Sequence, residues 1–366
     1  MRIKRFFVFA LIFGIISCSK KEYSEKDIIE SFVKHGYLDF KEEQVRDTLK
    51  KGLINLKKLD KNFEIINLKG KLVKSPSKKE TREFYYPFVL KKFKNDYLIV
   101  KVFDYSIAYE SGLRNGILKT INGKIPSPNP CELNKEIDES KDLKLSFNDG
   151  KADWSINLKK EISIFPFVWS SIVDDGIAYV NLVSLAKNSS KFFLNNLTNL
   201  RKRGIEKIIL DLRDVNGGDY LEAAKIAGYF SKNKTTYHIK SSKKEYTRDF
   251  DIDENIFSDM NVVLIVNKKT ALLGEIIAWT LKENGAIVVG EDTANQLYIT
   301  KMFKVGKDTA VIISVAKLFP PSLTDINGPI IPDYKAVYSN YKKYGFTYVF
   351  DCDDAFLKAF EVIRKI

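Results

Sequence analysis

Two adjacent glycines, Gly217 and Gly218, follow an apolar run, Ile208-Ile209-Leu210, that is closed by Asp211 and Arg213. Glycine tolerates positive φ. Such a turn can direct peptide N–H groups outward to bind an anion or stabilise an oxyanion. The same glycines would also suffice simply to end a strand. Asp211 and Arg213 fit a buried ion pair that fixes the turn. Other reactive groups are scarce. The two histidines stand far apart, His35 in a charged helical stretch and His238 in a polar Thr-Tyr-His-Ile-Lys run. Both read as structural or exposed, so no metal site and no cofactor are expected. Cys131 and Cys352 either pair or stay free. Thr270, ahead of an apolar helical run, is the hydroxyl nearest to a helix start.

The elements that must position these residues follow from periodicity. Ile208–Leu210 is a short apolar run bounded by a turn, and so a buried strand; Leu221, Ala224, Ile226, Ala227 and Phe230 then repeat at helical spacing. The same alternation continues through AYVNLVSL, KFFLNNLTNLRKRG, NVVLIVN, ALLGEIIAWTLKENG and AIVVGED, with the strand-like TAVIISVAKLF and a closing helix in DDAFLKAFEVIRKI. Strands alternating with helices imply an α/β core. Before it, residues 82–160 carry short β-rich runs. Earlier still, Val45, Leu49, Leu53, Leu56 and Leu59 recur at helical spacing. Lys, Ser and Pro76 between 68 and 80 read as a linker.

The chain has 366 residues, 45% of them hydrophobic, with 25 Phe and 18 Tyr. That suffices for two or three packed domains and excludes global disorder. The formal charge of +13 is spread over lysines interleaved with acids, as in KEEQVRDTLKK. Such patterns read as solvated helix faces, and nucleic acid is not an expected partner. Residues 1–17 join a basic start (Arg2, Lys4, Arg5) to the apolar run FFVFALIFGII, too short for an ordinary transmembrane helix. Ile15-Ile16-Ser17-Cys18 resembles a bacterial lipoprotein cleavage box. That implies a lipid on Cys18 and a chain held at a membrane of the bacterial cell envelope, outside the cytoplasm.

Two further resemblances carry most of the reading. Ser106–Ile125, SIAYESGLRNGILKTINGKI, is similar to the second half of a PDZ domain, with Ile107 and Ile117 departing from the usual proline and aspartate. PDZ domains bind peptide C-termini by strand addition, which puts a carboxylate loop at Tyr86, Pro87, Phe88 and Val89 and leaves Phe103 and Tyr105 as packing residues. Together with IILDLRDVNGG, VVLIVNKKTALLGEI, AIVVGEDT and INGPIIPD, this order of parts resembles the C-terminal processing, or tail-specific, serine peptidases. The resemblance implies a ClpP/crotonase-like α/β core at 164–335, a PDZ-like domain at 81–163, a helical N-terminal module and linker at 18–80, and a tail at 336–366.

The same resemblance assigns a serine–lysine dyad, and this chain departs from it twice. Leu272 stands where the family has its nucleophile, and Gln296 where it has its lysine. Leucine has no nucleophilic atom, and an amide cannot take the proton. The oxyanion donors would be backbone N–H groups of Gly217, Gly218 and Leu273. Thr270 is the fallback nucleophile, with Thr293 and Ser314 behind it and Lys301 as a displaced base. The expectation is a catalytically inactive relative that binds peptides, protein C-termini or a partner in the envelope. The alternatives are a peptidase acting through Thr270, or a binder of small apolar ligands.

Overall fold

In the computed structural model, residues 23–68, 85–104, 106–160, 166–252, 254–336 and 349–366 are described. The leader, Cys18, Tyr105 and nearly all of the linker lie outside them. The described chain forms two compact units. One gathers 23–35, 40–68 and Lys301–Ile313; the other holds the remainder, Gly36–Asp39 included.

In the smaller unit, α1 (Glu25–His35) opens with Glu25 and Asp27 and ends with Lys34 and His35, the order the helix dipole favours. It buries Ile28, Ile29 and Phe32. Helix α2 (Glu42–Lys50) buries Val45 and Leu49. The helical spacing expected through Leu59 is interrupted. Gly52 sits at φ 110°, where no helix continues, and Leu53–Lys58 forms a 3-10 turn that buries Leu56. Strand β1 (Glu64–Asn67) pairs antiparallel with Thr309–Ile312.

The larger unit begins with an antiparallel sheet of β2 (Phe88–Phe93), β3 (Asp96–Val102), β4 (Gly116–Ile121), β5 (Asp142–Asn148) and β6 (Asp153–Lys159), in that spatial order. A helical turn α3 (Ile107–Glu110), capped by Ser106, follows β3. Helix α4 (Pro130–Glu139) follows β4, with Pro130 at its first position and Asn129 capping Cys131 and Glu132.

The chain then builds a six-stranded sheet. Its first strands are β7 (Val168–Asp174) and β8 (Ile177–Leu182); α5 (Ser189–Lys202) leads to β9 (Lys207–Asp211), and α6 (Tyr220–Gly228) follows. An antiparallel pair, β10 (Thr235–Lys240) and β11 (Arg248–Asp251), lies outside this sheet. The sheet resumes with β12 (Asn261–Val266), helix α7 (Leu273–Glu283) and β13 (Ile287–Gly290). Strands β14 (Tyr298–Lys304) and β15 (Thr309–Phe319) come next, β15 pairing with β10 at 317–319. The short β16 (Tyr334–Lys335) is an edge, and α8 (Asp354–Ile363) ends the chain.

Sheet order is β16-β13-β12-β9-β8-β7, parallel except for β7. Successive side chains on a strand point to opposite faces, and the two cores obey this. Ile208 and Leu210 of β9, with Val262 and Leu264 of β12, join the core under α5, α6 and α7. Ile209, Val263 and Ile265 face the other core, shared with α8 and the β2–β6 sheet. Burial on both faces explains why these strands read as unbroken apolar runs.

Candidate functional site

The candidate site forms where β9, β12 and β13 end, the edge of a parallel sheet at which ligands usually bind. Leu212 N–H still bonds Ile265 O (2.9 Å), and the chain then turns at Asp214, φ 63°. Asn267 holds that turn: its side chain donates to Asp214 Oδ1 (3.0 Å) and accepts from Asp214 N–H (3.2 Å) and Thr270 N–H (3.1 Å). Val215 O receives Ala271 N–H at 3.0 Å. Gly274 lies so close to Val215 that a Cβ there would sit 2.2 Å from its carbonyl oxygen. Only glycine lets α7 start against the turn. Gly218, at φ 130°, is likewise required, since a Cβ would sit 2.5 Å from Leu185.

Leu272 precedes α7 at φ 46°, ψ −112°. A β-carbon residue adopts this region only when its surroundings enforce it, at a cost of about 1–3 kcal/mol. Three hydrogen bonds enforce it here: Leu272 N–H to Gln296 O (2.8 Å), Ala271 N–H to Val215 O, and Ile276 N–H to Leu272 O (2.9 Å). A sharp, strained strand-to-helix turn of this kind is what exposes the nucleophile in α/β-hydrolases. Here it carries a half-buried isobutyl group. Among the described residues, the N–H groups of Gly217, Gly218 and Leu273 donate no hydrogen bond. Two neighbouring segments thus supply the donor type that stabilises an oxyanion, with no nucleophile at the bend.

Gln296 is exposed, and what it contributes to the bend is its carbonyl. Its N–H donates to Glu275 Oε2 (2.8 Å); Glu275 Oε1 accepts from Asn295 N–H (3.1 Å) and from the Thr293 hydroxyl. Burial pushes the Glu275 carboxyl up from its ordinary value, while these donors pull it down. Thr293 also accepts from Ile330 N–H (2.8 Å), so its hydroxyl is fully engaged. The Thr270 hydroxyl is fully buried; it donates to Leu212 O (3.0 Å) and accepts from Asn267 N–H (3.1 Å). It pins the loop, and an attack would first have to break those bonds. His238 bonds Asp249 across β10 and β11 (2.6 Å), and His35 stacks on Phe303 within the smaller unit. Lys301 and Ser314 fall in different units.

Asp211 and Arg213 do form a buried pair, and it reaches further than expected. Arg213 also donates to Asp353 (2.8 and 3.2 Å), which caps α8 through Ala355 N–H and Phe356 N–H. Tyr179 OH donates to Asp211 Oδ2 at 2.6 Å. Sequence reasoning missed Lys317 as well. It is a fully buried lysine whose ammonium donates to Asp325 Oδ1 (2.5 Å) and Ile326 O (2.7 Å), over the rings of Tyr298 and Phe319. Its signal was its position inside an apolar strand. Tyr86, Pro87, Phe88 and Val89 are all buried, Tyr86 donating through its hydroxyl to Ser140 O (3.1 Å). Phe103 packs edge-on against Trp169 (5.4 Å). Cys131 and Cys352, left open by the sequence, form a disulfide with Cα atoms 4.8 Å apart.

Residues 176–336 match the model of Peptidase family S41. The chain is 30% identical over 161 residues to carboxyl-terminal-processing peptidase 2, chloroplastic, of Arabidopsis thaliana, covering 43% of this chain and 31% of that one. It is 28% identical over 159 residues to the carboxyl-terminal-processing protease of a Picosynechococcus strain, covering 43% and 38%. The chain thus spans about a third of the length of these curated relatives. The solved structure of a photosystem II D1 C-terminal processing protease shares the fold, with a TM-score of 0.51 at 16% identity, covering 85% of this chain and 92% of that one. The resemblance to the C-terminal processing peptidases therefore holds, and its matched span contains the whole candidate site.

Proposed function

We propose that this chain is a catalytically inactive relative of the C-terminal processing peptidases, one that binds extended polypeptide or protein C-termini without cutting them. The observation that carries this reading is Leu272 at the strained bend. The frame that would aim a nucleophile is kept, and the nucleophile is replaced by a hydrocarbon. Losing such a group costs about a million-fold in a serine protease. The Thr270 hydroxyl, committed to Leu212 O, argues against a displaced nucleophile. On the same reading, the β2–β6 sheet with α3 and α4 is a PDZ-like module and α1–α2 a helical module. Residues 1–17 are a leader, and Cys18 carries a lipid anchor outside the cytoplasm in a bacterial envelope. The Cys131–Cys352 disulfide supports an oxidising compartment.

The test incubates the full chain with unfolded and C-terminally tagged proteins and with a fluorophosphonate probe. It also measures polypeptide binding by anisotropy, before and after treatment with a dithiol. The expected result is binding in at least one state, no turnover and no labelling, with labelling appearing in Leu272→Ser combined with Gln296→Lys. Turnover that Thr270→Ala abolishes, or no binding in either state, overturns the reading.

A further inference from the structure

The edge of β2 that faces α4 is already taken. Val349 bridges Leu90 in parallel, and Lys92 N–H donates to Asp351 Oδ2 at 2.5 Å. From the other side, Asn134 Oδ1 of α4 accepts Val349 N–H (3.3 Å). Val349 is fully buried, and Phe350 (4% exposed) stacks on Phe356 at 4.4 Å and meets Tyr179 at 4.9 Å. Val349 is extended where it meets the sheet edge, and Phe350–Cys352 then closes into a 3-10 turn. A segment that meets a sheet edge, with side chains in an apolar slot and a helix opposite, occupies the place where sheets capture peptides. The occupant here is the chain itself, and Cys352 ties it to Cys131 in the first turn of α4. Cys131 is exposed whereas Cys352 is 4% exposed, so a reductant reaches the pair from the Cys131 side. Asp353, gripped by Arg213, anchors the C-terminal end of the segment independently of the disulfide.

We propose that Val349–Cys352 is a built-in occupant of a peptide groove between β2 and α4, and that the Cys131–Cys352 disulfide is its latch. The proposal rests on the polypeptide-binding reading above and adds its regulation. Opening requires a dithiol. One of its thiolates attacks the Cys131 sulfur, and Cys352 leaves as a thiolate and takes a proton. The second thiol then resolves the mixed disulfide, leaving the reductant oxidised and both cysteines as thiols. Closed by a covalent bond, the occupant cannot be displaced. Once reduced, it competes only as a tethered ligand of finite effective concentration. The occupant also defines the ligand class: a peptide with an extended apolar residue, then a bulky apolar residue and an acidic one in a 3-10 turn, the acid taking the Lys92 N–H beside Lys91.

The test uses a fluorescein-labelled peptide, TYVFDSD, the Thr347–Asp353 run with serine for cysteine. Its anisotropy is titrated against oxidised chain, dithiothreitol-reduced chain and Cys131→Ser. Binding at least tenfold tighter to the reduced chain and to Cys131→Ser is expected. Hydrogen exchange at the Lys92 amide should rise on reduction while β9 stays protected. Equal affinity in both redox states overturns the latch, as does exchange that rises equally in β2 and β9, because the disulfide then holds the fold rather than the groove. If TYVFDSD binds neither form while an unfolded polypeptide binds both equally, the latch fails and the binding reading stands.

Discussion

Arg213→Met tests whether the central turn and the C-terminal helix are one unit. The guanidinium is 1% exposed and lies between two carboxylates, Asp211 (0%) and Asp353 (4%). Removing one partner of a buried pair costs about 3–5 kcal/mol, because the charge left behind is neither solvated nor paired. Here two carboxylates are left, which argues for the upper end. Each keeps other donors, however: Tyr179 OH and the residue-213 N–H for Asp211, and Ala355 N–H and Phe356 N–H for Asp353. Those bonds bring the expected loss to about 3–4 kcal/mol. Asp353→Asn added to Arg213→Met keeps an oxygen to cap α8 and removes one of the two facing charges, so it should recover about 1–2 kcal/mol. Urea unfolding followed by tryptophan fluorescence reports on the site directly, since Trp169 lies 5.1 Å from the Tyr179 ring. A loss under 1 kcal/mol for Arg213→Met, or no recovery in the double variant, would refute the reasoning.

Two further outcomes follow from the same geometry. Burial raises the Glu275 carboxyl above its ordinary value of 4.5, so its stabilising contribution is complete below that pH and is lost as pH rises through the raised value. Unfolding measured from pH 4 to 8 should therefore show wild type losing stability relative to Glu275→Gln as pH rises, by at most about 1.4 kcal/mol per unit; a difference that stays constant over that range contradicts it. Gly274→Ala places a methyl group against the Val215 carbonyl, and backbone cannot yield there as a side chain would. It should cost about 1–3 kcal/mol in urea unfolding and abolish any fluorophosphonate labelling gained by Leu272→Ser combined with Gln296→Lys; a variant as stable as wild type that still labels would show the contact to be slack.

What was legible in the sequence is what is local or periodic. The double-sided burial of β9 and β12 makes them continuous apolar runs, and the Gly-Gly turn and the start of α7 lie within a few residues of those runs. The placing of Leu272 at the nucleophile position rests on the family resemblance rather than on these local patterns, and its positive φ appears only in the structure. The helical repeat from Val45 to Leu59 misled because periodicity outweighed a single residue, Gly52, whose φ of 110° ends the helix. The long-range pairings left no such trace. Nothing near Cys131 indicates that its partner is 221 residues away, and Asp353 reads as an ordinary helix cap until Arg213 is seen to hold it. These two unreadable contacts fall on neighbouring residues, Cys352 and Asp353, at the end of the segment that starts at Val349. One binds that segment to the α4 side of the β2 groove, and the other binds it to the strand that leads into the Gly-Gly turn. A continuous run of contacts therefore joins this segment to the loop before α7: Asp353 to Arg213, Arg213 to Asp214 along the chain, and Asp214 through Asn267 to Thr270, two residues before Leu272.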